Sequence, residues 1–137
     1  MMDSALEAAY RNTTYVVDHP SGDFGIRLGE PCARLDALQR EHGVTNWAYV
    51  TAYNPRSQPL PPAVNAARHA QLLAHAHSLG LITFAGRGQP DCDDWVAEES
   101  LLILGLDAVA ATALGAAFEQ SAVVVGRVCA VAELKWC

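Results

Sequence analysis

An apolar run, Asn46 to Tyr53, ends abruptly in Asn54-Pro55-Arg56-Ser57. The run reads as a buried strand, so the rest of the chain must supply the layers that bury it. Its end places a small amide, a backbone lock, a cation and a hydroxyl at the rim of that core. Rims of this kind combine a rigid strand with a solvated loop, which is where functional groups are usefully held.

The chain has 137 residues, of which 51% are apolar and 18% charged. That length suits one domain, 1–137, able to bury roughly two-thirds of its unfolded surface. The formal net charge is −6, and nine Lys and Arg residues are scattered from Arg11 to Lys135. Without a basic cluster, a nucleic-acid surface is not expected. Met1-Met2-Asp3-Ser4 lacks the pattern of a signal peptide, and no apolar stretch approaches a membrane span. Cys32, Cys92, Cys129 and Cys137 form no CxxC pair. A reduced, cytoplasmic setting follows as the expectation.

Pattern and punctuation predict a helix from Ser4 to Asn12, forming an N-terminal extension over about residues 1–12. A hairpin follows, with strands Thr13–Asp18 and Phe24–Leu28. A helix opened by Pro31 stops at Gly43, and the longest helix runs from Pro61 to Gly80. Leu81–Gly86 reads as a strand, Arg87–Ala97 as a polar loop and Ser100–Leu106 as a second buried strand. Asp107 caps a helix reaching about Gln120. Ser121–Arg127 and Val128–Leu134 read as two strands or as one long strand bent at Gly126. Without strict strand–helix alternation, the expected class is α+β: a two-layer sandwich with a mixed or mainly antiparallel sheet.

Polar residues fall on faces that should be apolar. On the Pro61 helix, Asn65 and His69 share the side of Leu72 and Ala76, with Arg68 at its edge. Gln120 falls on the line of Val109, Ala113 and Ala116. One of Glu98 and Glu99 must face inward if both belong to a strand; a solvated, helix-like turn is the alternative. An unpartnered buried amide costs about 1–3 kcal/mol, so Asn54, Asn65 and Gln120 must satisfy one another or meet a ligand. Arg56 and Arg68 suit an anion, beside the N-terminus of the Pro61 helix. Glu98 or Glu99 could act as a general base, and Trp95 as a wall or a core anchor.

Several motifs fail. Gly86-Arg87-Gly88 does not continue into a dinucleotide fingerprint, and Asp91-Cys92-Asp93-Asp94 lacks the later ligands of a calcium loop. No zinc spacing and no nucleophile elbow is present. No metal and no cofactor is expected.

Thr51-Ala52-Tyr53-Asn54-Pro55, Asn65, Trp95 with Glu98-Glu99-Ser100, and Phe118-Glu119-Gln120-Ser121-Ala122 resemble the bacterial domain-of-unknown-function family 3293. The resemblance runs from about Tyr15 to Leu134. Val64 stands where an acidic residue is expected, and Glu119 where a small one such as Gly is expected. The resemblance implies small, stand-alone bacterial cytosolic proteins and no known activity. Added to the residue reading, it gives a site of Asn54, Arg56, Asn65, Arg68, Trp95, Ser100 and Gln120 as binding residues, with Glu98 or Glu99 as the base. The expected ligand is a polar or anionic small molecule, nucleotide-like or amino-acid-like. The alternative is a non-enzymatic interaction module, homodimeric or bound to a protein partner, with Trp136 near the contact.

Overall fold

The computed structural model describes residues 4–92 and 96–137. Helix α1 (Ser4–Arg11) leads into strands β1 (Thr13–Val17) and β2 (Phe24–Ile26), then helix α2 (Ala33–Glu41) and strand β3 (Asn46–Thr51). A short 3-10 turn, Pro55–Ser57, precedes α3 (Pro62–Ser78) and the strands β4 (Ile82–Pro90) and β5 (Glu98–Leu104). Helix α4 (Ala108–Ala117), β6 (Ala122–Arg127) and β7 (Glu133–Trp136) complete the order. Among the described residues no helix is long and apolar enough to cross a membrane.

The strands form one antiparallel sheet in the order β2-β1-β4-β5-β3-β6-β7. The class is therefore α+β, with helices packed on the sheet. The sheet curls into a half-barrel, and its two edges meet where Leu28 bridges Ala132 in parallel. Gly29 N–H donates to Ala132 O at 2.9 Å there.

Curling gives the sheet two apolar faces. Alternate residues of β3 and β5 serve different cores, as a period of two requires. Trp47, Tyr49, Leu102 and Leu104 join Tyr15, Val17, Ile26 and the α2 residues Leu35 and Leu38 on the inner face. Ala48, Val50, Leu101 and Ile103 pack outward against Leu72 and Ala76 of α3 and against Ala111 and Leu114 of α4. The strand of the opening run is thus covered on both sides, which explains its unbroken apolar character.

Several boundaries differ from expectation. Strand β4 extends through Arg87, Gly88 and Gln89 to Pro90, where a loop was predicted, and pairs there with β1. Glycines hid it: a Cβ on Gly86 would lie 2.5 Å from the Tyr49 hydroxyl, which crosses the strand to bond Val16 O at 2.7 Å. Strand β5 starts at Glu98 rather than Ser100, so both glutamates are strand residues and not part of a turn. Helix α4 ends at Ala117, short of Gln120.

The last segment is a hairpin rather than one strand bent at Gly126. Strands β6 and β7 pair antiparallel, and the chain reverses through Val128–Ala130 with Cys129 left-handed at φ 63°. Gly126 stays inside β6, and the Trp47 indole fills the place its side chain would take, with Cζ2 2.5 Å from an ideal Cβ. Gly126→Ala should therefore cost about 1–3 kcal/mol through overpacking. Urea unfolding monitored by tryptophan fluorescence measures this; an unchanged midpoint would show that Trp47 does not depend on the glycine.

Candidate functional site

The rim lies where β3 ends, β5 begins, α3 starts and α4 ends. Asn54 is its centre. Its backbone is left-handed, at φ 45° and ψ 66°, which an asparagine tolerates better than most residues. Its Oδ1 accepts from Asn65 Nδ2 at 2.7 Å and from Leu60 N–H at 3.1 Å. Its own N–H donates to Asn65 Oδ1 at 2.9 Å. Its Nδ2 donates to Glu98 Oε2 at 2.8 Å. One amide thus joins α3, outside the sheet, to a carboxyl on the inner face of β5.

Glu98 lies in register with Gly88 on β4, on the side of Ser100, Leu102 and Leu104. Burial pushes its carboxyl above the ordinary carboxylate range, and the Asn54 bond acts in the opposite direction. Among the described residues no ion pair reaches it. Burial raises the Tyr10 phenol to about 12, and the Glu98 charge adds to the effect. Burial likewise raises Tyr53, helped by Glu99 and then Glu98. Glu99 faces the outer side and is exposed, while its carbonyl accepts from Thr51 Oγ1 at 2.7 Å.

The remaining predicted residues are placed as follows. Asn65 and Gln120 are buried. Gln120 Nε2 donates to Tyr53 O at 3.0 Å and to Phe118 O at 3.3 Å. Ser100 is buried, and its hydroxyl donates to Glu98 O at 3.1 Å. Arg68 is a clamp: Nε donates to Ala52 O at 2.8 Å and Nη2 donates to Phe118 O. It ties the end of β3 to the end of α4. Arg56 remains 75% exposed. Between the two guanidiniums stands the Glu119 carboxylate, 3.6 Å from Arg68 and 3.8 Å from Arg56. Trp95 lies outside the described residues. His69 packs edge-on against Tyr53, and its buried Nδ1 has no partner among the described residues.

The rim also holds backbone strain. Arg56, Ser57 and Glu119 are left-handed at φ 54°, 60° and 60°. Such residues cost about 1–2 kcal/mol each and concentrate at functional sites. Arg56 N–H donates to Glu119 O at 2.7 Å, so two strained turns lock each other.

Gly88 lies beside Glu98 through the β4–β5 register, which a sequence pattern that reads Arg87–Ala97 as a loop does not reveal. Two clefts lie elsewhere. One, of about 340 Å³, sits between the β1–β2 turn and α2, lined by His19, Phe24, Arg34 and Leu38. The other, of about 270 Å³, lies along the seam of Leu28 and Ala132, beside Arg11 and Lys135. Among the described residues no group of His, Cys, Asp or Glu is placed to hold a metal ion.

A family model described as "Protein of unknown function (DUF3293)" matches residues 50–123, and the chain belongs to that family. The match spans the whole rim, from the end of β3 to β6. No curated protein and no solved structure matches the chain. The left-handed backbone of Glu119 gives a physical reason for expecting glycine there. Val64, in the exposed first turn of α3, stands where a carboxylate would complement the helix dipole.

Two tests follow from this geometry. Arg68→Met should lose the carbonyl clamp and cost about 1.5–3 kcal/mol in denaturant unfolding; a cost below a few tenths would show the clamp to be ornamental. Glu98→Gln should raise the melting temperature by a few degrees near neutral pH. A carboxyl raised in the folded state gives full stability below its unfolded value, about 4.3, and loses it as pH rises through the folded value. The gain should therefore vanish in acid, which a pH series of melting curves would reveal.

Proposed function

We propose that the rim binds a polar small molecule, amino-acid-like or nucleotide-like, with Glu98 as the group that reads it and exchanges a proton with it. One observation carries the reading. Glu98 is an inward-facing carboxyl whose partner among the described residues is a neutral amide, with no cation to neutralise it. A chain that kept this position only for packing would do better with an uncharged residue. A carboxyl raised by burial is also better matched to proton transfer near neutral pH. Exposed Arg56 is available to an anionic end of the same molecule, if Glu119 yields it.

The supporting cast is structural. Asn54 aims the Glu98 carboxyl, Asn65 fixes Asn54, and Arg68 and Gln120 hold the carbonyls of the adjoining turns. Removing one of these would loosen the site rather than remove a ligand contact.

A second reading is a non-enzymatic interaction module. It draws on the same hydrogen bonds, since Asn54, Asn65 and Gln120 find partners within the chain. Trp136 would then be a contact residue; it lies edge-on to Tyr10, 6.0 Å between ring centres, and is half-buried. Light scattering distinguishes a dimer from a monomer.

The direct test is a thermal-shift screen of nucleotides and amino acids against the native protein and Glu98→Gln. A compound that stabilises the native protein should lose at least about tenfold in affinity for the variant. A compound bound equally by both would remove Glu98 from the site.

A further inference from the structure

Two glycines of β4 share the inner face and differ in what they leave room for. Gly86 is required by its neighbours, since an added Cβ would lie 2.3 Å from Val16 O and 2.5 Å from the Tyr49 hydroxyl. Gly88, two residues on, is not. Among the described residues an added Cβ would meet only Thr13 Cγ2, at 3.8 Å, an ordinary contact. Its φ is not in the left-handed region either. Neither backbone conformation nor packing asks for glycine there, and glycine weakens a strand.

The partners of Gly88 give its absent side chain a meaning. It pairs with Tyr15 on one side and with Glu98 on the other. Directly paired residues point to the same face, so Tyr15, Gly88 and Glu98 form one inner row whose middle position carries no side chain and is left open among the described residues. The Tyr15 hydroxyl donates to Tyr10 O at 2.8 Å. One wall of the gap is therefore an aromatic ring and the other a carboxyl. Gly88 itself is partly exposed.

We infer that the gap over Gly88 receives a cationic nitrogen group, an ammonium or guanidinium, which pairs with Glu98 beside the ring of Tyr15. This rests on the reading of Glu98 as the ligand-facing group, and narrows it to amine-bearing ligands. The sign follows from the charges around the rim. Arg56 and Arg68 both face the Glu119 carboxylate, whereas no cation among the described residues reaches Glu98. The charge left to satisfy is negative, and a carboxylate next to an aromatic face suits a cation.

The probes are methylammonium and methylguanidinium, with acetate and inorganic phosphate as controls. Binding is read from the side-chain carboxyl resonance of Glu98 by NMR. The two cations should shift that resonance and the two anions should not. Gly88→Ala should retain the melting temperature and weaken the cations, and Gly88→Val should weaken them by at least about tenfold. Gly86→Ala should lower the melting temperature, which separates filling the gap from damaging the strand. If Gly88→Ala and Gly88→Val bind the cations as the native protein does, the gap is not the site, while Glu98 remains a reader. If the anions shift the resonance and the cations do not, the ligand class is wrong. If none of the four probes shifts it, the cation site is refuted; should the screening compound also bind Glu98→Gln undiminished, the reading of Glu98 falls with it.

Discussion

The rim depends on one side chain, the Asn54 amide. Its four short contacts, to Asn65 twice, to Leu60 and to Glu98, satisfy most of what an asparagine and its backbone can offer. They also cross the sheet. Asn65 belongs to a helix packed on the outer face, whereas Glu98 projects from the inner face. Asn54 can reach both because it sits at the strand's end, in a left-handed conformation that turns the chain over the edge. A β-branched or aliphatic residue could supply neither the bonds nor the backbone. The adjacent strain at Arg56, Ser57 and Glu119 is then the cost of holding this crossing in place, and the Arg68 clamp offsets part of it.

The curl of the sheet makes the inner face a second core. Two large side chains of β3 set it: Tyr49 passes over Gly86, and Trp47 passes over Gly126. Each ring occupies the place of a side chain on another strand, Tyr49 reaching past β5 to β4 and Trp47 onto the adjacent β6. The inner face is consequently phenolic and aromatic at the level of Tyr15 and Tyr49, whose rings meet edge-to-face at 5.3 Å. A carboxyl at the open end of such a face loses water without gaining a cation. Its raised titration follows from that placement rather than from any one neighbour.

Much of this was legible in the residues. The long apolar runs announced buried strands, Gly43 and Gly80 marked helix ends and are left-handed, and Asp107 caps α4 through Ala110 N–H at 2.8 Å. The rim residues Asn54, Asn65, Arg68 and Glu98 do lie near one another, because helix and strand periodicities fixed those faces. Gln120 joins them for another reason, since the line of Val109, Ala113 and Ala116 that pointed to it is exposed; α4 buries Ala111, Leu114 and Gly115 instead, and the helix ends before Gln120. What pattern could not supply was partnership. The far half of β4 looked like a loop because glycines hold inner positions there. Packing among the described residues gives no reason for Gly88, whereas the reason for Gly86 lies in Val16 and Tyr49 on other strands. Gly126 looked like a bend for the same reason. Arg68 looked like an anion ligand, and its Nε and Nη2 also donate to the Ala52 and Phe118 carbonyls, which no sequence spacing reveals.

The contrast between the rim's two carboxylates carries the functional argument furthest. Glu119 is half-exposed and faces two guanidiniums at distances where water screens the attraction, so its pairing is weak and exchangeable. Glu98 is inward-facing, faces none among the described residues, and is aimed by an amide whose oxygen is itself fixed by two other bonds. If stability alone had shaped the rim, these roles would be reversed, with the cations placed beside the partly buried carboxyl. Keeping the arginines on the solvated carboxylate leaves the desolvated one to be completed from outside. Whatever completes it must carry a positive charge or donate protons, and must be small enough to enter beside Tyr15 over a residue that has no side chain.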